Sequence, residues 1–565
     1  MKVVFACMGE MNMGTASVSA ALKQARHETA IAFDPSLFDE HLYFIAQAFP
    51  IKQLAALFNQ RQKVIDKIVA MQPDLVAIGT ISDTYQWAIA IAEGVKKQID
   101  VPILFGGLFA TNCPDTPLST PWVDMVCMGE GELPMVELCN SMERGEIDTS
   151  IQNMAYKTEA GIKYNPIRPL VNMNDLPPYD IDLFEDDIVI GNRYYTLSSK
   201  GCILSCSFCS QAFYEGFNGT RDPRRRAVDL VIDQLVEAKK KYNIRLIDFE
   251  DNVLYSNRKW FREFAIKYKE KVDIPYICMG YPAATSDEVA ELLAHSGCYR
   301  LQLGIQSMNE ENRNKLLRRP ESNEQIRACF DALDKYKVKY SCDHIFGLPN
   351  EDNHEDLMLA AMEYSKCDMV HKVNTFFLTV YPKTPMVEQA VEWGLIQPKD
   401  VERINSGYSA YYYDYGITDR PDLKQLYRSY AIYYRMMPAM PKRMRFFMLK
   451  TKLFRVFAFL PKTLTMFAVD MFLTFRNWDP VSRHVMGTYL RWIPRIMFKG
   501  GVKYDGPVDP DKVIKTMRDY RLVDEAAQTQ EQIFGLQKDA RDRFVGRPSV
   551  YSEDNGAYIV PSAAE

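Results

Sequence analysis

Three cysteines stand close together in the chain: Cys202, Cys206 and Cys209, within Lys200-Gly201-Cys202-Ile203-Leu204-Ser205-Cys206-Ser207-Phe208-Cys209. This C-x3-C-x2-C spacing follows a strand-like run, Tyr194 to Ser199, so the thiols sit on a loop at a strand end. Thiolates grouped this closely suit a soft metal centre. Three ligands in place of four would leave one iron of a cubane [4Fe–4S] cluster without a protein ligand. An open coordination position is what a metal needs to bind and activate a small molecule. Two plainer readings compete. A disulfide with a spare thiol would suit a secreted protein, and nothing here looks secreted. A structural zinc site wants a fourth Cys or His nearby, and neither follows the motif closely.

Composition bounds the rest. A chain of 565 residues is too long for one ordinary domain and predicts two or three. Its 47% apolar and 25% charged residues are a globular balance with material for a core. A net charge of −5 argues against bulk nucleic-acid binding. Met1-Lys2-Val3-Val4-Phe5-Ala6 reads as a short strand rather than a signal peptide. Twelve cysteines without secretory features then imply a reducing compartment, and so a cytoplasmic protein. The cysteines outside the motif are scattered, as small buried hydrophobes are. No long uninterrupted apolar run predicts a transmembrane helix.

The elements that must hold the motif alternate. Strand patterns at Lys2–Cys7, Thr29–Phe33, Leu75–Gly79, Ile103–Phe105 and Met125–Met128 are separated by helical patterns at Gly14–Arg26, Gln60–Met71 and Thr84–Gln98. This is a parallel sheet with crossover helices over residues 1–140. Such sheets bind ligands beyond the carboxyl ends of their strands. The loops there, Met8–Gly14, Thr80–Asp83, Gly106–Thr111 and Gly129–Glu132, are rich in Gly, Ser and Thr, which allow close backbone approach. Residues 141–193 read as a linker. It holds a small hairpin at Tyr156–Tyr164 and an extended Pro-rich crossing at Asp175–Asp180.

After the cysteines the alternation resumes over residues 194–396. Strands are expected at Arg245–Glu250, Ile274–Met279, Arg300–Gly304, Lys339–Ile345 and Val373–Tyr381. Helices are expected at Val228–Lys241, Asp287–Ser296, Glu310–Leu317, Asn323–Tyr336, His354–Ser365 and Pro385–Trp393. With the strand before the cysteines this makes six strand–helix units, a partial (β/α)6 barrel whose site lies at the carboxyl ends of its strands.

With these pieces in place, the chain resembles the radical S-adenosylmethionine (SAM) enzymes that carry a cobalamin-binding domain, over about Lys2 to Ile396. The cysteine motif matches the three ligands of their [4Fe–4S] cluster, whose open iron is chelated by the amino and carboxylate groups of SAM. Phe208 occupies the family's aromatic position before the last cysteine. Phe249-Glu250-Asp251-Asn252 resembles the second-strand motif that holds the SAM amino group, and Gly304-Ile305-Gln306-Ser307 the turn that approaches its ribose and carboxylate. Gly347-Leu348-Pro349-Asn350-Glu351-Asp352 and Tyr381-Pro382-Lys383-Thr384-Pro385 resemble the GLPGET and PGTP turns, with Asn350 and Lys383 where Gly is usual. The SAM contacts this implies are Phe208, Glu250, Asp251, Gln306 and Ser307.

Upstream, Gly106-Gly107-Leu108-Phe109-Ala110-Thr111 resembles the cobalamin domain's GGxHxT-like turn with Phe109 at the His, and Gly129-Glu130-Gly131-Glu132 resembles its closing GEGE. Thr80 and Ser82 match its small hydroxyl residues. The D-x-H-x-x-G register reads Gly9-Glu10-Met11-Asn12-Met13-Gly14, so Met11 replaces the His that ligates cobalt from below. The implied cobalamin contacts are Met11, Gly14, Thr80, Ser82, Gly106, Gly107, Gly129 and Glu130. The competing reading is a retained fold that binds another ligand or none.

The resemblance implies an α/β protein with a Rossmann-like cobalamin-binding domain, a radical SAM barrel and a mainly helical C-terminal domain over 397–565. It implies reductive cleavage of SAM to a 5′-deoxyadenosyl radical with electrons from a separate donor. It also implies a methyltransferase acting on an unactivated carbon of a small molecule, at the expense of two SAM per methylation. A non-methylating cyclase of the anaerobic tetrapyrrole type, or a non-catalytic cobalamin or redox sensor, are the alternatives.

Beyond Gln397 the family pattern stops. Tyr408, Tyr411, Tyr412, Tyr413 and Tyr415 could line a pocket or pack on the barrel. From Arg435 to Lys462 the chain has Arg and Lys interleaved with Met, Phe and Leu and no acidic residue, and apolar stretches continue to Lys499. Over residues 435–499 this mixture predicts peripheral membrane contact, or a lipophilic substrate drawn from a membrane. A bundle capping the barrel is the plain alternative. Asp539 to Glu565 reads as a polar, frayed end.

Overall fold

The computed structural model describes residues 1–38, 52–348, 354–408, 410–411, 421–461, 465, 468–469, 471–473, 479–498, 509 and 511–524. Asn350–Asp352, Tyr412–Tyr415 and Asp539–Glu565 lie outside them. The chain forms two compact units: Met1–Ile190 with Pro398–Ser409 and His484–Val545, and Gly191–Gln397 with Ala410–Arg483 and Gly546–Glu565.

The first unit is built on strands β1 (Lys2–Met8), β2 (Glu28–Asp34), β3 (Leu75–Gly79), β4 (Ile103–Gly106) and β5 (Met125–Cys127), followed by β6 (Glu146–Asp148), β7 (Met154–Thr158) and β8 (Gly161–Tyr164). Seven of these form one sheet in the order β2-β1-β3-β4-β5-β7-β8. The first five are parallel, with Val3 opposite both Thr29 and Leu75. β7 and β8 add the expected hairpin antiparallel to β5. Residues 3–7 and 75–78 are buried throughout, as strands covered on both faces must be. The order 2-1-3-4-5 is doubly wound, so the strand order reverses between β1 and β3, and the crevice beyond that point is where such sheets take ligands.

The second unit holds β9 (Tyr194–Thr196), β10 (Ser199–Lys200), β11 (Arg224–Arg225), β12 (Ile247–Phe249), β13 (Tyr276–Gly280), β14 (Cys298–Gln306), β15 (Tyr340–Phe346) and β16 (Val370–Phe377). Six form a parallel sheet, β16-β15-β14-β13-β12-β9, in which each strand pairs with the next in sequence. β9 and β16 have one neighbour each, so the barrel is partial, as expected. Phe249, Phe264, Tyr268 and Tyr276 pack behind it with ring centres 5.1–6.3 Å apart, edge to face except for the tilted pair Phe264–Tyr268. Such pairs contribute about 0.5–1.5 kcal/mol each beyond area burial. Ser322 and Gln325 close a reciprocal capping box on the helix Asn323–Lys335.

Three expectations change. The helix expected at Glu310–Leu317 is a π-helical segment, Asn312–Leu316. There the Arg313 guanidinium folds inward and donates to the carbonyls of Ser307 (2.6 Å) and Glu321 (2.8 Å from Nη2, 3.0 Å from Nε). The loop expected at Gly106–Thr111 winds into a short helix, Gly107–Asn112. Finally, residues 397–565 are not one helical body. Their described parts divide between the two units, because β17 (Arg521–Val523) pairs in parallel with β6, and Trp492 is buried beside Phe33 at 6.3 Å. The expected 141–193 linker likewise contributes β6, β7 and β8. Among the described residues no helix is long and apolar enough to cross a membrane.

Candidate active site

The cysteine loop leaves the carboxyl end of β9 and returns at β11, where Ser199 and Lys200 pair with Arg225 and Arg224. Gly201 opens it at φ +101°, and a Cβ there would lie 3.2 Å from Pro223 Cα, so a glycine is needed. The Asn252 amide donates to the Gly201 carbonyl at 2.8 Å. Ser207, fully buried between the second and third cysteines, anchors the other side. Its Oγ donates to Leu316 O (2.6 Å), its N–H to Leu317 O (3.2 Å), and its carbonyl accepts from Met386 N–H (2.9 Å). The loop is thus tied to the segments that follow β12, β14 and β16.

Cys206 is buried, while Cys202 and Cys209 are partly open; each of the other nine cysteines is buried. Burial pushes the Cys202 thiol up to about 12 and raises Cys206 and Cys209 as well. Thiols this dehydrated become thiolates when a metal displaces the proton. Among the described residues no three His, Cys, Asp or Glu side chains converge on a point fit for one metal ion. A cubane does not ask for that, since each of its thiolates binds a different iron. Three thiols on one pinned loop, two of them reachable from outside, are a donor set that fits such a cluster.

The other barrel positions are distributed as follows. Phe208 and Glu250 are half-buried. Asp251 is completely buried and turned into the loop base: it accepts from Ser198 N–H (2.9 Å), Ser198 Oγ (2.6 Å) and Ser199 Oγ, with Arg225 at 3.6 Å. Its carboxylate therefore braces the strand that feeds the cysteines. Gln306, at φ +66°, ends β14 where the pairing with β15 shifts register. Ser307 follows it, buried, its Oγ accepting from Asn309 N–H at 3.1 Å.

One neighbour of the cysteines escaped the sequence. Arg319, buried, donates from Nη1 to Cys206 Sγ (3.6 Å), from Nη2 to Gly304 O (2.5 Å) and from Nε to Glu321 (2.8 Å), and lies over the Tyr281 ring at 5.2 Å. Tyr281 Oη donates to the other oxygen of Glu321 at 2.9 Å. Burial opposes the charge on Arg319; Cys206 and Glu321 more than offset it and hold the guanidinium protonated. The only sequence signal was an Arg318-Arg319 doublet, indistinguishable from surface charge.

In the first unit the expected ligand loops meet at the switch point. Asn12 caps the helix Met13–Gln24 by accepting from Thr15 N–H at 2.9 Å, and Met11 beside it is buried. An added Cβ on Gly14 would sit 3.1 Å from Asn12 Oδ1. Thr80 donates to Gly106 O through N–H (2.7 Å) and Oγ1 (2.9 Å), and accepts from Phe109 N–H (3.0 Å). Gly107, at φ +86°, lets these loops touch: a Cβ would be 2.7 Å from both Thr80 N and O. Ser82 begins a 3-10 turn, Ser82–Thr84. Gly129, at φ +73°, donates to Thr111 Oγ1 (3.0 Å), and the Glu130 side chain accepts from Val171 N–H (3.3 Å). Phe109 is buried against Tyr85, ring centres 4.3 Å apart, so it packs where a His would be polar. A glycine cradle beyond the β1–β3 switch, with no His in its first loop, fits a flat ligand held without a lower His ligand.

Comparison with known proteins agrees with both halves. Residues 8–139 match the B12 binding domain and residues 196–361 the radical SAM superfamily. The chain is 26% identical over 350 residues to the uncharacterized methyltransferase PH0819 of Pyrococcus horikoshii, covering 60% of this chain and 73% of that one. It is 20% identical over 435 residues to cytidylyl-2-hydroxyethylphosphonate methyltransferase of Streptomyces wedmorensis, covering 69% and 79%. Its fold matches the cobalamin-dependent S-adenosylmethionine radical enzyme OxsB with a TM-score of 0.57 at 13% identity, over 89% of this chain and 81% of that one. The chain belongs to the radical SAM enzymes that carry a B12-binding domain, a family whose cofactors are a [4Fe–4S] cluster, SAM and cobalamin.

Proposed function

We propose that this protein is a cobalamin-dependent radical SAM methyltransferase that methylates an unactivated carbon of a small, lipophilic molecule. The observation that carries the reading is the coexistence, in one chain, of a pinned three-cysteine loop at the barrel strand ends and a glycine cradle at the switch point of a doubly wound sheet. When bound, the cluster supplies the electron that cleaves SAM, and cobalamin supplies a carrier for the methyl group.

The chain's own residues do the rest. Cys202, Cys206 and Cys209 hold the cluster, and Ser207 fixes their loop through three backbone partners. Glu250, Gln306 and Ser307, at the ends of β12 and β14, and Phe208 beside the last cysteine, position SAM. Asp251 serves from beneath by holding Ser198 and Ser199. Met11, Gly14, Thr80, Ser82, Gly106, Gly107, Gly129 and Glu130 form the cobalamin cradle. Because the His position of the first loop is Met11 and buried, that loop would hold cobalamin without contributing an imidazole. An external electron donor is required. The exposed basic and apolar surface of residues 442–459 supports a lipophilic substrate and a cytoplasmic protein working at a membrane periphery.

The test is turnover of the anaerobically purified, cofactor-loaded protein with SAM labelled in its methyl group. The expected products are S-adenosylhomocysteine, 5′-deoxyadenosine and a labelled substrate. A product without label would assign cyclase or rearrangement chemistry instead, and no 5′-deoxyadenosine under reducing conditions would assign a sensor. Cys209→Ala is expected to lose both iron and 5′-deoxyadenosine formation.

A further inference from the structure

We propose that residues 442–459 form a docking face for an anionic membrane surface. This deepens the membrane-periphery part of the reading above, by naming the face and the lipid charge it takes, and is independent of the methyl-transfer chemistry. The helix Lys442–Lys450 is fastened on one side by Met448, Leu449 and the buried Arg445, whose guanidinium donates to Met440 O and Cys367 O, both at 2.8 Å. The opposite side carries Arg443, Met444, Phe447 and Lys450, whose spacing puts them on one helix face. Met444 is 49% and Phe447 58% exposed.

Lys452, at φ +57°, turns the chain into a 3-10 helix, Leu453–Phe459. At three residues per turn, Leu453, Val456 and Phe459 align in a single ridge. They are 46%, 53% and 81% exposed. The element is not loose: Phe454 points the other way, fully buried, with its ring 4.7 Å from Tyr430 and 5.8 Å from Tyr433. A held segment therefore presents an apolar ridge to the outside.

Charge selects what covers it. Arg443, Lys450, Lys452 and Arg455 flank the apolar side chains and are exposed, and no acidic residue occurs from Arg435 to Lys462 in a chain of net charge −5. Apolar side chains framed by Lys and Arg are the composition of an interfacial element, which buries its ridge among acyl chains and sets its cations at the headgroups. A protein partner fits less well, because lysine is depleted from the core of protein interfaces. A second copy fits worst, because a two-fold interface would set these cations against themselves.

The experiment is co-sedimentation of the full-length, cofactor-loaded protein with two kinds of vesicle. One is phosphatidylcholine alone and the other contains about one third phosphatidylglycerol. Binding is expected only to the anionic vesicles and is expected to fall with added salt. Val456→Ser with Phe459→Ser, and separately Lys450→Glu with Lys452→Glu, should each lower partitioning about tenfold or more. Cobalamin and cluster absorption should be unchanged in both. The charge-reversal pair is exposed, so it reports even where the ridge pair is poorly folded. Three results would overturn the proposal: no binding to anionic vesicles at low salt, equal binding by wild type and both variants, or a concentration-dependent dimer that the ridge variant dissolves. Vesicle binding needs no turnover, so its failure is distinct from failure of the methyl-transfer reading.

Discussion

Replacing Arg319 by methionine is expected to strand one buried carboxylate and loosen one cysteine. The guanidinium is the hub of a network that, among the described residues, no other cation duplicates at the same distance: Glu321 keeps Tyr281 Oη at 2.9 Å, but the guanidinium of Arg313 is 3.9 Å from it. Removing one member of a buried pair typically costs about 3–5 kcal/mol, and the remaining tyrosine places this case near the lower end, about 3 kcal/mol. Arg319→Lys keeps the charge but not the fork that reaches Glu321, Gly304 and Cys206 together, so a loss of about 1–3 kcal/mol is expected. The second site makes the argument testable. Glu321→Gln in the Arg319→Met background removes the stranded charge and should recover part of the loss, a coupling of about 0.5–3 kcal/mol. Urea unfolding of wild type, Arg319→Met, Glu321→Gln and the double variant measures this coupling. On the cluster side, Arg319→Met deletes an N–H donor to Cys206 Sγ, and hydrogen bonds to cluster sulfurs help set the reduction potential. A midpoint more negative than wild type, read by potentiometric EPR, is the expected result. If Arg319→Met and the double variant unfold at the same urea concentration, and the midpoint does not move, the network reading is wrong.

Gly107→Ala combines a left-handed backbone with a Cβ 2.7 Å from Thr80 N and O, and should cost about 2–4 kcal/mol; thermal unfolding and cobalamin retention measure it, and an unchanged protein would show that the cradle tolerates a side chain. Asp251→Asn loses an acceptor for buried hydroxyls of Ser198 and Ser199, with an expected loss of about 1–3 kcal/mol and a lower iron content per chain. Burial lowers the pKa of His344 to about 3, with its Nδ1 3.1 Å from Tyr364 Oη. A base depressed in the folded state binds fewer protons there than when unfolded, so its contribution is fully present above about pH 6.5 and is lost on acidification, at about 1.4 kcal/mol per pH unit. His344→Phe should flatten that slope in urea titrations at neutral and mildly acid pH, and an identical slope would remove His344 as its source.

Much of the architecture could be read from periodicity because the strands of both sheets are short apolar runs between helical patterns, and a strand covered on both faces has little freedom to read otherwise. The hairpin at residues 154–164 was visible for the same reason, through its turn residues. What could not be read depends on side chains reaching across the fold. The π-helical segment exists because Arg313 is drawn inward by carbonyls at Ser307 and Glu321, and nothing in Asn312–Leu316 itself departs from a helical pattern. Arg319 looks like any surface arginine until β14 brings the Gly304 carbonyl within 2.5 Å of its Nη2. Asp251 was read through the second-strand motif as a SAM contact, while its carboxylate is turned toward Ser198 and Ser199. Phe109 was read as a substituted polar position and is a core residue under Tyr85.

The parallel pair β6–β17 sets the order in which the first unit can be finished. The strand that covers β6 is separated from it by about 375 residues of sequence, so it emerges from the ribosome about 20–75 s after β6 at ordinary elongation rates. During that interval β6, which is not part of the seven-stranded sheet, waits without a strand partner. β6 is suited to waiting: it has only three residues, and Glu146 and Asp148 put a negative charge at each end, which discourages pairing with a passing strand. Arg521 then arrives with the opposite charge and meets Glu146. The acidic strand is in effect a lock cut for one late, basic key, and the N-terminal module made by itself would carry that strand permanently unpaired.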